Sequence, residues 1–511
     1  MTPGLASILV VCGAMALGKV PADLDGDGAV RLADVSLFVG AWRLGESTPR
    51  WLSAAAVAAP ATVLDRADAA TLVSAFLAQA PAPDHWVSTE GDDGGPGSRE
   101  APWRNIQHAC DVAEAGEVVR VLPGVYVEDV VMKRSGEAGR PIVFQGEGAR
   151  IEPGGWELAP GASHLVLEGF RLAADDDRWV VSLEGDNRYV TLRDLEVSGG
   201  DCGIHMTVGE HAKPEFGPVE HVVVEGCRLT GANWTGLDVT PGPANDLTIR
   251  RCVVSGNGNP QAGFGADGIA VEMGDHLVVE ECVVEGNSSD GIDLCSRQGA
   301  PCDSVVVRRC RVAGNHGDGV KLWWGGTLEN SLITGHGLAP VVLIGDTRYE
   351  IANCTVAHNY REDKSYSLVA AYPDDPPSTG RAQVWMRNCL FAFNGPPGEP
   401  TGLYLGPQVQ LDEDYNCFFS RDDGELQVAS LGEDREWVTR EDILEGRWAA
   451  SGGGAHSFSA DPKFAGAGDW RPAADGPCAN AGTAEGAPAV DILGNPRPFA
   501  GAVDVGCYET G

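Results

Sequence analysis

The chain has 511 residues, too many for one ordinary hydrophobic core, so we expect several folding units or a repetitive architecture. Its formal net charge of −36 argues against a nucleic acid or an anionic membrane as a partner bound through a basic face. The 68 Gly and 32 Pro residues indicate many turns, whereas the 43% hydrophobic content excludes wholesale disorder.

The first element in the chain is an apolar run over residues 5–17, which has the length of a signal peptide and is too short to span a bilayer. No Lys or Arg precedes this run, in contrast to most signal peptides. We expect residues 1–20 to be a signal peptide and the protein to be secreted or extracellular. We expect no membrane-spanning segment.

An acidic loop follows the apolar run. Carboxylates occupy loop positions 1, 3, 5 and 12, and Gly28 stands at position 6, as the oxygen-rich cage of a Ca²⁺ loop requires. These carboxylates are Asp23, Asp25, Asp27 and Asp34. A second copy, which ends at Asp68, keeps the following helix but lacks the acidic ligands, so we expect one bound ion. The alternative is an acidic turn without metal.

Residues 21–80, with their loop spacing and following helices, resemble a dockerin, the paired Ca²⁺-loop module of exported polysaccharide-degrading systems. The resemblance implies a cohesin-like protein as a possible partner, although the missing ligands of the second loop depart from the dockerin pattern. Residues 81–84, which include Pro81 and Pro83, are predicted to form a stiff linker.

A repeat dominates the rest of the chain. A Cys that ends a Val/Leu-rich run is followed five or six residues later by an Asn, at intervals of about 20 to 35 residues, which indicates a solenoid. The Cys positions are Cys227, Cys252, Cys282, Cys310, Cys354 and Cys389, with Phe170, Leu195 and Ser331 in weaker copies. The Asn positions are Asn233, Asn257, Asn287, Asn315, Asn359 and Asn394.

Short β runs broken by Gly and Asn favour a parallel β-helix over helical repeats. The Cys column is then expected inside as buried free thiols and the Asn column as a hydrogen-bonded ladder, both structural. A stripe formed by Ile106, Ala109, Cys110 and Ala113 predicts a short helix over the first coil. Two cysteine pairs, Cys295/Cys302 and Cys478/Cys507, are candidate disulfides.

Residues 86–126 and the tail from Asp461 to Gly506 resemble the corresponding parts of exported right-handed β-helix proteins. The predicted fold is therefore all-β: a right-handed parallel β-helix over residues 85–425 and a β-rich carboxyl-terminal cap over 426–511. A small α-helical calcium module of the EF-hand type precedes it.

Candidate chemistry follows from aligning the strand after each ladder Asn on its Gly-aliphatic pair. Neighbouring coils lie about 4.8 Å apart, so equivalent positions form columns. Asp238, Ala270, Asp293 and Lys321 form one column, and Thr235, Asp267, Asp290 and Asp318 form a second. Five carboxylates and one amine are expected to converge, and Asp267, Asp290 and Asp293 are expected to hold one hard cation.

The segments around Asp267-Gly268, Ser289-Asp290-Gly291-Ile292-Asp293 and Asp318-Gly319-Val320-Lys321 resemble family 9 polysaccharide lyases, which are Ca²⁺-dependent pectate lyases on a right-handed β-helix. The resemblance implies that the three aspartates named above bind Ca²⁺ and that Lys321 is the base. Ser289 stands where that family has a further aspartate. Asp238, Asp318, Trp323 and Trp324 are candidate contacts for an acidic polysaccharide.

The expected reaction is β-elimination of a uronate polymer. A cation bound to the C6 carboxylate acidifies the C5 proton, and a neutral amine removes it as the C4 oxygen leaves. His205, His316 and water are the candidates for the leaving-group acid. Two alternatives stay open, namely a non-catalytic carbohydrate-binding or structural solenoid, and a glycoside hydrolase that uses two carboxylates.

Overall fold

The structure of the protein is a computed structural model. It describes residues 83–207, 217–258, 266–296, 302, 304–359, 369–372, 381–394, 403–405, 409–419, 427–431, 436–450, 453–466, 468–499 and 501–510. Asp84–Gly511 form one compact unit. The predicted signal peptide and the calcium loop with Asp23, Asp25, Asp27 and Asp34 lie outside the described residues.

The compact unit is a parallel β-solenoid in which each coil adds one strand to each of three sheets. The first sheet contains His85–Val87, Val118–Val121, Ile142–Gln145, Leu165–Glu168, Arg188–Arg193, Val219–Glu225, the second half of Leu237–Arg250, Val278–Glu280, Val306–Arg308, Gly326–Glu329, Arg348–Ala352, Gln383–Arg387 and Gln410–Asp414. The second contains Gly124–Tyr126, Ala149–Ile151, Arg171–Ala174, Glu196–Gly199, Arg228–Thr230, Val253–Ser255, Val283–Glu285, Arg311–Ala313, Leu332–Thr334, Thr355–Ala357, Leu390–Ala392 and Cys417–Phe419.

The third sheet carries the candidate site. It contains Asp129–Met132, Gly155–Leu158, Trp179–Leu183, Cys202–Met206, the first half of Leu237–Arg250, Ile269–Met273, Ile292–Leu294, Val320–Leu322, Val341–Ile344, Val369–Tyr372, Leu403–Leu405, Gln427–Leu431 and the antiparallel Glu436–Thr439. Alternating side chains of these strands fill the interior with Val, Leu and Ile. Burying each such side chain contributes about 1.5–3 kcal/mol, so the period-2 pattern fixes which face is inside.

The cysteine column lies in the interior, as predicted, and the structure places it at the corner between the first and second sheets. From Phe170 to Cys389, each residue of the column accepts, at its carbonyl, a hydrogen bond from the next coil. The donor is the N–H of the residue that follows the next column member, as in the bond from Val253 to Cys227. Leu195 and Ser331 occupy the same position in their coils. The six cysteines are buried free thiols, so the structure confirms their structural role.

The asparagine ladder lies at the corner between the second and third sheets. Asn287 Nδ2 donates to Asn315 Oδ1 at 2.9 Å, and Asn359 Nδ2 donates to Asn394 Oδ1 at 2.9 Å. The prediction was wrong at Asn233, which is exposed. Ala232 takes the ladder position instead, because its N–H donates to Asn257 Oδ1 at 3.1 Å. The six-residue spacing after Cys227 places the Asn one residue beyond the ladder.

His336 replaces the ladder asparagine between Asn315 and Asn359. Its backbone N–H donates to Asn359 Oδ1, and its Nε2 lies 3.1 Å from the Val312 carbonyl, where a ladder amide would donate. The ring is fully buried. Burial lowers the pKa of His336 from 6.5 to about 4.

We expect His336→Asn to remove part of the acid sensitivity of folding. Because the unfolded chain binds a proton at His336 below pH 6.5 and the folded chain does so only near pH 4, stability falls as the pH drops through this window, by about 3 kcal/mol at most. Urea unfolding of both proteins at pH 7.5 and 4.5 measures the difference. An equal loss of stability in both proteins would contradict the prediction.

The predicted first-coil helix is present as Ile106–Val112 and buries Ile106, Ala109 and Cys110. Two further helices, Arg440–Leu444 and Arg447–Ala450, follow the last coils. Among the described residues, no helix has the length and apolar character that a membrane crossing requires.

Within residues 426–511, predicted as a β-rich cap, the structure places two strands and the two helices, and the described tail from residue 453 consists largely of turns. Within the described tail, carbonyls of Asp504 and Gly506 accept from Asn353 Nδ2, and the Thr483 carbonyl accepts from Asn388 Nδ2. The tail therefore lies along the outside of the coils. Of the two candidate disulfides, Cys295–Cys302 is present. Cys478 and Cys507 are buried free thiols, and the backbone N–H of Cys507 donates to Thr355 Oγ1 at 3.0 Å.

Candidate functional site

Glycines set the register of the candidate site. The N–H of each glycine donates to a carbonyl of the next coil, as in the bond from Gly268 to Asp290. The four glycines that do so are Gly236, Gly268, Gly291 and Gly319. Strand pairing then places Asp238 beside Ala270, Ala270 beside Asp293, and Asp293 beside Lys321. Both predicted columns are therefore present at the edge of the third sheet.

Three aspartates of the second column form a ladder of their own. Asp267 Oδ1 accepts the backbone N–H of Asp290 at 2.9 Å, and Asp290 Oδ1 accepts that of Asp318 at 2.7 Å. Asp318 Oδ1 accepts the N–H of Ala339 at 2.9 Å. Each carboxylate thus uses one oxygen to hold the next coil, and its second oxygen remains for other contacts.

The three aspartates expected to bind a cation lie together. One oxygen from each of Asp267, Asp290 and Asp293 lies within 4.8 Å of the other two, and we name these residues the acidic cluster. Lys321 Nζ lies 2.5 Å from Asp290 Oδ2 and 3.2 Å from Asp318 Oδ2. The amine is therefore directed towards the carboxylates and away from the hydrophobic interior.

The electrostatics of the acidic cluster reflect burial and crowding of like charges. Burial raises the pKa of Asp267 to about 6, and Asp290 adds to the rise. Burial also raises the pKa of Asp293 to about 7, against the opposing effect of Lys321. Burial alone would lower the pKa of Lys321, but the carboxylates of Asp290, Asp293 and Asp318 outweigh it and raise the pKa.

The two predicted tryptophans differ in their contacts. Trp323 Nε1 donates to Asp293 Oδ1 at 2.7 Å, so Trp323 orients one oxygen of the acidic cluster. Trp323 and Trp324 are both half-buried and pack against the hydrophobic core. Neither stands out from the surface as a free platform, and the contact between Trp323 and Asp293 could not be predicted from strand spacing.

Asp238 does not join the other carboxylates, and the prediction of five converging carboxylates was wrong here. Ala270 separates it from Asp293, and its Oδ2 lies 2.9 Å from His205 Nδ1. His205 is buried under Trp179, with 3.8 Å between the ring centroids, three coils from Asp293. His205 is therefore too distant for a leaving-group acid at the acidic cluster, whereas His316 is exposed two residues before Asp318.

Sequence reasoning missed Cys202 and Trp179 beside this histidine. Cys202 precedes Gly203 as Asp290 precedes Gly291, so the same alignment contained a signal for it. One ligand atom from each of Cys202, His205 and Asp238 lies within 4.8 Å of the other two. We name these three residues the upstream cluster.

We expect Gly291→Ala to destabilise the solenoid beside the acidic cluster. An added Cβ would lie 2.6 Å from the Gly319 carbonyl oxygen and 2.7 Å from Asn315 Nδ2, so the strands must separate. Overpacking of this kind costs about 1–3 kcal/mol, which chemical denaturation would measure. Gly466→Ala is the control, because its added Cβ meets no atom within 4 Å. Equal stability of the two variants would contradict the close approach of the Gly319 carbonyl to Gly291.

Comparison with known proteins supports the fold. Residues 179–359 match the family model described as a right handed beta helix region. The chain is 28% identical over 221 residues to the pectate lyase PEL9 of Emericella nidulans, covering 42% of this chain and 50% of that protein. It is 26% identical over 223 residues to the uncharacterized protein YwoF of Bacillus subtilis, covering 42% and 44%. The chain thus spans about half the length of these curated relatives.

Solved structures that are similar to this one include that of the pectate lyase Pel9A. The TM-score is 0.45 at 15% identity, and the alignment covers 84% of this chain and 96% of that one. A crystal structure of an alginate lyase from Paenibacillus gives a TM-score of 0.37 at 16% identity, covering 60% and 96%.

Proposed function

We propose that the protein is a secreted, calcium-dependent polysaccharide lyase that cleaves a uronate-containing, pectate-like polymer by β-elimination. The observation that carries the proposal is the direction of Lys321, whose Nζ lies 2.5 Å from Asp290 within a group of carboxylates. The similarity to the pectate lyase PEL9 supports the same reaction class. A solenoid offers an extended surface, which suits a long polymer such as a polysaccharide chain.

The acidic cluster fits Ca²⁺ by its donor set. Its three carboxylates offer hard oxygen ligands within 4.8 Å of one another, which suits a cation that takes six to eight oxygens in flexible geometry. With Asp318 and Lys321 included, four carboxylates face one amine, so the group carries a charge of −3 when all are ionised. A divalent cation would relieve most of this repulsion.

The mechanism assigns the proton transfer to Lys321. Bound Ca²⁺ would supply positive charge that holds the uronate carboxylate against the acidic wall and acidifies the C5 proton. Lys321 acts as a base only after the negative charge around it has been neutralised, because the same carboxylates raise its pKa. It then takes the C5 proton, the C4–O bond breaks, and a C4–C5 double bond forms. Water or His316 protonates the leaving oxygen.

The positions of the other residues give them supporting roles. Asp318 accepts from Lys321 with one oxygen and from Ala339 with the other, so it holds the amine towards the acidic cluster. Trp323 fixes Asp293 through its indole N–H. Asp238 pairs with His205 away from this centre and has no part in the proposed reaction.

Incubation with polygalacturonate and Ca²⁺ tests the proposal. We expect ultraviolet-absorbing unsaturated ends to form and to disappear when a chelator is added. Saturated reducing ends would instead support a hydrolase, for which the raised pKa of Asp293 would suit a general acid. Retention of the polymer without any product would support a non-catalytic binding protein.

A further inference from the structure

The upstream cluster repeats the geometry of the acidic cluster at a different place on the third sheet. The N–H of Gly203 donates to the Thr235 carbonyl, as that of Gly291 donates to the Asp318 carbonyl. Cys202 therefore stands at the corner position that Asp290 occupies, and His205 stands at the position of Asp293. His205 pairs with Asp238 in the next coil. Three coils separate His205 from Asp293, or about 14 Å.

The side chains of the upstream cluster are held in place and shielded from water. His205 is 3% exposed, Cys202 4% and Asp238 6%. The indole of Trp179 covers the imidazole face. His205 Nδ1 lies 2.9 Å from Asp238 Oδ2, whereas Nε2 has no hydrogen-bond partner among the described residues. A buried polar atom without a partner is costly, so Nε2 points to a missing ligand.

The chemistry of these donors differs from that of the acidic cluster. A thiolate, an imidazole and a carboxylate are the ligands that Zn²⁺ prefers, whereas Ca²⁺ takes oxygen donors alone. The thiolate and the carboxylate together carry two negative charges, so a divalent ion would make the buried group neutral. In a tetrahedral zinc site with one sulfur ligand the ligand atoms lie about 3.3–3.6 Å apart, and the three donors here lie within 4.8 Å of one another.

We propose that Cys202, His205 and Asp238 bind a transition-metal dication, best matched by Zn²⁺, with water as the fourth ligand. The site is separate from the proposed lyase centre and does not depend on it. Metal binding displaces the thiol proton of Cys202, as in other thiolate sites.

Titration of the metal-free, full-length protein with Co²⁺ under a non-thiol reductant tests the site. We expect a thiolate-to-cobalt charge-transfer band that saturates at one equivalent, is bleached by Zn²⁺ and is unaffected by excess Ca²⁺. Cys202→Ser should abolish the band, and His205→Gln and Asp238→Asn should each weaken Co²⁺ binding at least about tenfold. Absence of the band in the unaltered protein would overturn the proposal.

Two control variants make the result specific. Cys282→Ala removes a buried thiol of the interior column and should leave the band intact. Asp293→Asn alters the acidic cluster and should also leave it intact, so this site and the lyase centre can fail separately. A band that persists in Cys202→Ser would overturn the proposal. Should that variant not fold, Zn²⁺ must protect Cys202 of the unaltered protein from alkylation, and lack of protection would also overturn it.

Discussion

Lys321→Ala should lower the rate of unsaturated-product formation by about 10²- to 10⁴-fold, the range that a positioned general base contributes. Among the described residues, Lys321 is the one amine that lies against Asp290 and Asp318. Because the loss lies in proton abstraction, we expect kcat to fall while KM for polygalacturonate changes little. Absorbance of the unsaturated ends at saturating calcium measures both constants.

A second substitution separates catalysis from charge balance. Lys321→Arg keeps the positive charge beside the carboxylates but cannot supply a neutral base, because the guanidinium stays protonated. We therefore expect it to be as inactive as Lys321→Ala. If Lys321 only balanced charge on the solenoid face, Lys321→Arg would keep its activity. Lys133→Ala, which removes an exposed lysine, is the control for the loss of a charge.

The sequence contained enough information to place the columns of the solenoid. Parallel strands stack equivalent positions, so aligning Gly268, Gly291 and Gly319 was sufficient to bring Asp267, Asp290 and Lys321 together. The same argument predicted that Leu195 and Ser331 take the place of cysteine. These predictions depend only on backbone register, which the alternating pattern specifies.

Side-chain direction and one-residue offsets could not be predicted in this way. Lys321 turns towards Asp290 and Asp318, although its strand neighbour is Asp293. The column assignment of Asp238 was correct, but its partner is His205 because Ala270 interrupts the acidic series. Spacing in the sequence carries no information about rotamers, and the rotamers decide which groups of a column touch.

The asparagine ladder could not be placed to the residue from the sequence either. Asn233 and Ala232 are adjacent in the chain, and only the backbone geometry of the corner decides which of them is buried. Cys478 and Cys507 were a candidate disulfide in the prediction, yet both are free and the backbone N–H of Cys507 donates to Thr355 of the solenoid. Contacts between segments far apart in the chain leave no periodic signal.

Asp293→Asn should weaken calcium binding at the acidic cluster about tenfold or more, because affinity for Ca²⁺ depends on the number of charged ligands. The variant is conservative, since an amide oxygen can still accept the indole N–H of Trp323. Calorimetric titration of the chelator-treated, full-length protein measures the affinity. Asp23→Asn removes a ligand of the proposed amino-terminal loop and identifies any binding there.

Activity at different calcium concentrations links this binding to the reaction. Asp293→Asn should lose most activity at limiting calcium and regain part of it when calcium is raised, whereas Lys321→Ala should not recover at any concentration. Asp475→Asn, which removes an exposed carboxylate in the tail, should behave like the unaltered protein. If Asp293→Asn bound calcium normally and kept full activity, Asp293 would be a structural residue and the acidic cluster would not be the calcium site. The two variants therefore distinguish loss of the cation from loss of the base, which a single inactive protein cannot do.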